Sequence, residues 1–551
     1  MSLVILFGSQ TGTAEEVSYD LGRSAAQKGI PVQVCSLNKY PLEQLPLQKF
    51  VVFVVSTTGQ GQPPENMCGF WKAILNSALP SDLFEGVQYS VFGLGDSSYE
   101  EFNVVARKLW IRMGKLGAVP LCRKGLGDDM HDFEYEAEYH PWCQVLWEAL
   151  SKHFTFTQCE VPPMWEVQVS SEPQTQLSRA PSLKVLSTQQ VAFEYSETWK
   201  LQIQGSFSYQ PGDVLCVYPL NKQKLVESTL EIMDWENTNL KIIPNKNHPF
   251  PPDPEFPESI SLKDLLTYYL DLQKPPTRYF ISLLAKYAKG IYKEKLEEMS
   301  APTVDGRNEY HRYVTKERRN VPEVLWDFQS PQIPLGYFIE AAGLLRPRSF
   351  SIASPPSQTQ IDLFISPITY NTPFGRVVEG LCSHYLTKSQ ECIFGFVKKG
   401  DMPLVPENKP LLMICTGAGV APFRSLIGHR VHRGCRNNTL VYGCRHPDYD
   451  FLCKDELEAL EASGYISVLP AFSRTQEKKY YVYQKLKDSW EFISQQLLDG
   501  AYVFVCSSYQ NLPKFVKESL TQVLLKAGLT QEQVSVFMKD LIKTRFYAEA
   551  W

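Results

Sequence analysis

Arg346-Pro347-Arg348-Ser349-Phe350-Ser351-Ile352-Ala353-Ser354 follows a leucine-rich, helical approach and opens an alternating apolar stretch. Read as a strand, it puts Arg348, Phe350 and Ile352 on one face and Ser349, Ser351 and Ala353 on the other. An arginine fork donates two parallel charge-assisted hydrogen bonds to a pyrophosphate, and an aromatic ring beside it can stack on a flat heteroaromatic. A hydroxyl next along reaches a polar ring edge. Taken alone, the pattern also fits a plain surface strand entering a turn.

A second stretch, Glu379-Gly380-Leu381-Cys382-Ser383-His384-Tyr385-Leu386, reads as a glycine turn opening a helix, with Ser383 and backbone N–H groups available to an anion. Its spacing after the Arg-x-Phe-Ser resembles the FAD-binding pair of the ferredoxin-NADP reductase family. That resemblance implies that Arg348 and the turn at Gly380, Cys382 and Ser383 hold the FAD pyrophosphate, with Ser349 and Leu381 beside them. It also implies that Phe350 stacks on the isoalloxazine and that Ser351 lies near its N5.

At the other end of the chain, the strand-like Leu3 to Phe7 runs into Gly8-Ser9-Gln10-Thr11-Gly12-Thr13-Ala14 and then a helical pattern. Three hydroxyls in five residues at a helix start suit a phosphate monoester, and the lysine of a nucleoside-triphosphate loop is absent. Phe50 to Val55 ends in Ser56-Thr57-Thr58-Gly59-Gln60-Gly61, and Gln88 to Phe92 ends in Gly93-Leu94-Gly95-Asp96-Ser97-Ser98-Tyr99. Three such loops at successive strand ends predict a five-stranded doubly wound sheet whose strand ends converge on a ligand.

This part resembles flavodoxin, and the loops are similar to the FMN-binding pattern of diflavin reductases. The resemblance implies that Ser9, Gln10, Thr11, Gly12 and Thr13 hold the FMN phosphate. Ser56, Thr57, Thr58, Gly59 and Gly61, with Gly95, Asp96 and Tyr99, would flank the ring, Tyr99 stacking on it; Asn103 and Asp128 fall on matching positions. Thr58 stands where cytochrome P450 reductase carries a second aromatic. Asp96, Glu100, Glu101, Asp128, Asp129, Glu134, Glu136 and Glu138 make the region acidic, a charge that fits either a solvated surface or the steering of a basic partner.

The 551 residues hold 44% hydrophobic and 21% charged side chains, as a soluble globular protein of several domains does. A formal net charge of -5 argues against a nucleic-acid partner. The longest apolar runs are strand-length, and the first residues lack a basic n-region, so neither membrane anchor nor signal peptide is expected. Thirteen scattered cysteines without a Cys-x-x-Cys argue against disulfides and against a metal site, and predict a cytoplasmic home.

Between the two nucleotide-like regions, residues 156–182 are rich in Pro, Ser, Gln and Thr and read as a linker. Strands resume at Leu183, and a helical block over about 222–336 interrupts them before the barrel pattern returns at Tyr337. The block resembles the connecting domain of diflavin reductases. Over 401–551, Leu411 to Ile414, Thr439 to Tyr442, Tyr465 to Leu469 and Tyr502 to Val505 predict four strands of a second doubly wound sheet.

The first of those strands ends in Thr416-Gly417-Ala418-Gly419, small residues that let backbone approach a pyrophosphate. Ser473, Arg474, Lys479 and Tyr481 offer the cations and hydroxyls a 2'-phosphate needs, so NADPH is expected over NADH. By resemblance to diflavin reductases, Ser351, Cys506 and Glu549 form the hydride-transfer site and Trp551 covers the FAD ring; Ser507 stands where that family has glycine.

The expected architecture is therefore a flavodoxin-like α/β domain over 1–155, the linker, an FAD-binding antiparallel β-barrel with a helical connecting insertion over 183–400, and an α/β NADPH-binding domain over 401–551. Its resemblance to diflavin reductases implies electron flow from NADPH through FAD and FMN to an acceptor protein. The start near the first strand and the Glu-x-Trp ending look most like the soluble NADPH-dependent branch serving cytosolic iron–sulfur cluster assembly, whose acceptor is anamorsin. A soluble reductase for a cytochrome P450 or sulfite reductase-type acceptor, and a non-catalytic flavin-fold scaffold, are the alternatives.

Overall fold

A computed structural model describes the chain except residues 60, 100, 174–178, 254, 330–331, 389 and 551. It divides into two compact units, Met1–Leu177 with Asn221–Arg346 and Thr372–Arg376, and Ser178–Leu220 with Pro347–Asn371 and Val377–Trp551.

In the first unit, strands Leu3–Gly8, Val32–Ser36, Phe50–Ser56, Gln88–Gly95 and Val119–Pro120 form a parallel sheet in the order second, first, third, fourth, fifth. Gly125–Asp128 runs beside Gln88–Gly95. Leu3, Ile5 and Phe7 pack under the helices Thr13–Gln27 and Glu136–Ser151. Val4 and Leu6 face the opposite way, towards Cys68–Ile74 and Val104–Lys115. Burial on both faces is why these strands read as unbroken apolar runs. Register sets Ser56 against Leu94 and Gly95 against Asp128, so the strand ends finish together.

The rest of this unit is the helical insertion, whose helices include Gln223–Ile232, Arg278–Tyr287, Gly290–Ser300 and Leu335–Ala342. The stretch 156–182, expected to be a linker, contains a strand: Trp165–Val169 pairs antiparallel with Asn239–Pro244. Trp165 is buried, its ring edge-on to Phe256 at 4.8 Å. Trp-Glu-Val-Gln-Val does alternate; the flanking Pro, Ser and Gln hid the pattern. Gln174 to Ser178 lie outside the described residues.

The second unit opens with an antiparallel sheet in the order Arg348–Ser351, Val214–Tyr218, Cys392–Lys398, Ser182–Ala192, Thr198–Gln204, Gln360–Ile365. Its two outer strands meet: Ile352, just past Ser351, bridges Leu363. The sheet therefore closes into the expected barrel around Leu201, Ile203, Leu215, Val217, Ile352 and Leu363.

Beyond the barrel, Ile466–Phe472, Asn438–Cys444, Leu411–Thr416, Tyr502–Ser507 and Phe546–Ala550 form a parallel sheet in that order. Four strands were expected; the fifth comes from the chain end, where Phe-Tyr-Ala-Glu-Ala is short and chain termini are commonly frayed.

Trp165→Ala removes a buried aromatic and costs about 3–5 kcal/mol. In scanning calorimetry the transition of the first unit should move to lower temperature while that of the second stays in place.

Candidate functional site

In the first unit, Ser9, Gln10, Thr11, Gly12 and Thr13 connect Leu3–Gly8 to Thr13–Gln27. Gly12 has φ +110, a conformation that side chains rarely adopt, and its N–H donates to Ser9 Oγ at 3.1 Å. The Ser9 N–H donates to Asn66 Oδ1 at 2.8 Å, and Gln10 Oε1 accepts from the Glu65 N–H at 3.1 Å, so the turn at 65–66 braces the loop. No side chain caps this helix. A hydroxyl-rich loop before uncapped helix N–H groups is the donor set a phosphate monoester requires.

Arg346 stands two residues before Arg348, at the start of the strand-like stretch. The structure instead places it beside this loop, where its Nη2 bonds Glu15 Oε2 at 2.7 Å and its Nε would stand 3.6 Å from a Cβ at Gly12. Burial pushes the Glu15 carboxyl up and Arg346 opposes that shift. Only the three-dimensional path of the insertion reveals this cation; nothing in its local sequence distinguishes it.

The second loop is a closed turn. Thr58 and Gln62 exchange backbone hydrogen bonds at 3.0 and 2.8 Å, and Gly59 and Gly61 take φ of +49 and +89. Thr58 also donates its hydroxyl to the Gln62 carbonyl at 3.2 Å, and the Thr57 hydroxyl accepts from the Val105 N–H at 3.4 Å. Ser56 ends its strand with Oγ 3.4 Å from the Gly8 carbonyl. Gln60 lies outside the described residues.

At the third loop Gly95 admits the backbone of Asn103, which would lie 3.0 Å from an added Cβ. Asn103 is fully buried at φ +53, donates Nδ2 to the Gly127 carbonyl at 2.9 Å, and leaves Oδ1 without a hydrogen-bond partner among the described residues. Asp128 accepts from the N–H groups of Ser97 and Met130 at 2.9 and 3.1 Å; burial works against its charge, but these bonds hold its carboxyl below the usual range. Asp96 accepts from the Ser98 N–H at 2.8 Å. Tyr99 is half-buried and its phenol is raised by burial and by Asp96. Asp129 and Glu134 are also raised, by burial first and then by acidic neighbours. Glu100 lies outside the described residues.

In the second unit, Arg348, Ser349, Phe350 and Ser351 pair with Val217, Cys216, Leu215 and Val214. Phe350 packs against the barrel core, and Ser349 is exposed with Oγ 3.5 Å from Cys216 Sγ. Gly380 precedes the helix Leu381–Thr387. Cys382 is buried in the barrel; burial raises its thiol to about 12, and the nearby Arg348 charge pulls the other way. Ser383, expected to face an anion, has Oγ accepting from the Ile368 N–H at 3.2 Å, while the Gly380 N–H donates to the Ile368 carbonyl at 2.8 Å. That hydroxyl helps close the turn.

In the parallel sheet of the same unit, Thr416, Gly417, Ala418 and Gly419 leave Leu411–Thr416 for the helix Val420–His432. Gly417 has φ +52, and an added Cβ there would meet nothing within 4 Å. A Cβ on Gly419 would overlap the Cys506 carbonyl, so neighbouring backbone demands glycine. Ser473 and Arg474 follow Ile466–Phe472, their N–H groups bonded to the carbonyls of Cys444 and Arg445 at 3.0 and 2.9 Å. Arg474 and Lys479 are exposed, and the exposed Tyr481 opens the helix Val482–Asp488.

The chain-end strand brings Glu549 opposite Cys506 in register. Burial pushes the Glu549 carboxyl up, with Tyr547 donating to it at 3.1 Å and opposing the shift, and burial likewise raises the Cys506 thiol. Ser507 Oγ lies 2.6 Å from Thr416 Oγ1, so the hydroxyl at the expected glycine position ties two adjacent strand ends. Trp551 lies outside the described residues. Among the described residues no three potential ligands gather for a metal, and no helix is long and apolar enough to cross a membrane.

Comparison with known proteins covers all of these regions. A flavodoxin model matches residues 5–142, an FAD binding domain model 187–385 and an oxidoreductase NAD-binding domain model 413–517. NADPH-dependent diflavin oxidoreductase 1 of Mus musculus is 33% identical over 599 residues, spanning 100% of this chain and 99% of its own. The proteins of that name from Schizosaccharomyces pombe and Arabidopsis thaliana are 32% and 31% identical, with the same coverage of both chains. With three matched domains in one order and relatives aligned from end to end, the chain belongs to the NADPH-dependent diflavin oxidoreductase family.

Proposed function

We propose that the chain passes electrons from NADPH through FAD and FMN to an anamorsin-type iron–sulfur protein, in the cytoplasm, for iron–sulfur cluster assembly. The chain is an NADPH-dependent diflavin oxidoreductase with FMN, FAD and NADPH as cofactors. What supports the reading is that one chain carries three separate glycine-bearing stretches at strand ends and helix starts, which we read as anion cradles: the loop at Gly12, the Arg348 strand with the Gly380 turn, and the loop at Gly417 to Gly419.

When bound, the nicotinamide supplies a hydride and the two flavins turn a two-electron transfer into single-electron delivery. The residues bind, orient and handle protons. Ser9, Thr11 and Thr13 offer hydroxyls, and the uncapped helix start offers N–H groups, to the FMN phosphate. Asn103 and Asp128 hold the third loop through Gly127 and Ser97, and Tyr99 gives the ring its aromatic face. Arg348 supplies a cation to the FAD pyrophosphate, while Phe350 and Ser351 present ring and hydroxyl. Ser473, Arg474, Lys479 and Tyr481 supply the 2'-phosphate contacts. Cys506 and Glu549 stand at adjacent strand ends, where burial favours the neutral form of each and so the approach of an uncharged nicotinamide ring.

Flavins released by denaturing the purified protein should be FMN and FAD in about equal amounts; FAD with little FMN would sink the first site. Gly12→Ala forces a side chain into strained backbone, and FMN should bind about tenfold more weakly while FAD content is unchanged. NADPH-reduced protein should reduce anamorsin clusters faster than a mock protein does, and equal rates reject that acceptor.

Glu549 has a raised pKa in the folded chain, so its stabilising share is complete below the unfolded pKa and lost as pH rises through the folded one. Glu549→Gln should abolish that loss in thermal midpoints measured across pH. It should also remove from the NADPH-to-flavin rate an ionisation lying above the ordinary glutamate range.

A further inference from the structure

The helix Val420–His432 begins where the Gly417 to Gly419 loop ends, and it packs on the chain leaving the Arg348–Ser351 strand. At Gly428 an added Cβ would overlap Pro355, so the helix lies as close to that segment as a glycine permits. Arg424 is one turn earlier on the same helix face. Its Nη1 donates to the Ala353 carbonyl at 3.1 Å and to Asp362 Oδ2 at 3.0 Å, and its Nε donates to Glu456 Oε2 at 2.8 Å.

Asp362 is nearly sealed from solvent and fully engaged. Lys200 Nζ lies 3.2 Å away, and Gln202 and Gln360 donate at 3.3 and 3.1 Å. The Ala353 N–H donates to the Asp362 carbonyl at 2.8 Å, and Ser354 Oγ accepts from the Asp362 N–H at 3.0 Å. Both backbone groups of Ala353, two residues after Ser351, are thereby held by this one cluster. A buried ion pair is often no better a stabiliser than apolar residues of the same volume. What the planar fork adds is a single geometry.

We propose that Arg424 and Asp362 are positioning residues for hydride transfer, fixing the Gly417–Gly419 loop against the Arg348–Ser351 strand so that nicotinamide and flavin ring meet at reacting distance. The proposal rests on reading those two stretches as the NADPH and FAD sites. In the step concerned, the C4 hydrogen leaves the dihydronicotinamide with its electron pair and joins flavin N5; the nicotinamide is oxidised and the flavin reduced. Neither Arg424 nor Asp362 takes part in that bond exchange.

The test is anaerobic stopped-flow reduction of the flavin-loaded protein by NADPH and by NADPH deuterated at C4. Arg424→Gln should slow flavin reduction about 10- to 100-fold and enlarge the isotope effect, with NADP⁺ affinity and FAD content unchanged. Arg424→Lys keeps a charge for Asp362 but cannot hold Ala353 and Glu456 as well, so it should restore the thermal midpoint and only part of the rate. Gly428→Ala pushes the helix off Pro355 with every charge in place and should slow the same step; it and Arg424→Lys carry the test if Arg424→Gln does not fold. Folded, FAD-loaded variants that reduce flavin at the unsubstituted rate overturn the positioning role, as does a loss that follows NADP⁺ affinity or FAD content. Failure of the unsubstituted protein to accept electrons from NADPH overturns the reading of the sites, and the positioning role with it.

Discussion

A parallel strand covered on both faces can reach a ligand only at its ends. Leu3–Gly8 and Leu411–Thr416 each have side chains in two different cores, so neither face is open to a cofactor. What such a strand can offer lies beyond its carboxyl end, in a loop and the N–H groups of the following helix. Both parallel sheets meet this constraint by bringing backbone very close to backbone. Gly95 accommodates Asn103 and Gly419 accommodates the Cys506 carbonyl, and a side chain at either would push the neighbouring segment away.

The barrel meets a different requirement. An antiparallel sheet has two edges, and the Arg348–Ser351 strand would be one of them. The Ile352–Leu363 bridge joins it to the other edge, so Phe350 and Ser351 sit on a strand whose continuation is fixed. Closure also brings the start of the 353–355 segment to Asp362, the one residue of the Gln360–Ile365 strand around which cations and amides collect. The positions of Phe350 and Ser351 and the ionic cluster are thus consequences of the same barrel seam.

Much of this was legible because it is local. Unbroken apolar runs ending in glycine and hydroxyls announced the two parallel sheets and the loops at their strand ends, since burial on both faces leaves that periodicity in the sequence. Gly380 to Ser383 announced a turn and helix start. What was hidden depends on partners distant in sequence. Trp165–Val169 is a strand because Asn239–Pro244 lies beside it, and Arg346 neighbours Gly12 because the helical insertion returns the chain there. Ser383 showed a hydroxyl in the sequence, but not that the Ile368 N–H would occupy it.

The fifth strand of the second parallel sheet was least legible and changes the chemistry most. A carboxyl at a frayed end would be hydrated and ordinary. Pairing Val503 to Ser507 with Phe546 to Ala550 instead sets Glu549 beside Cys506, where burial favours its protonated form. The same burial raises the Cys506 thiol, so the charged forms of both groups are disfavoured at adjacent strand ends. Ser507 then acquires a physical reason. Glycine there would lack the hydroxyl that meets Thr416 and accepts from the Tyr509 N–H at 2.9 Å. Serine ties the strand bearing Cys506, which the chain end joins on its other side, to Leu411–Thr416, the strand that enters the Gly417 to Gly419 loop.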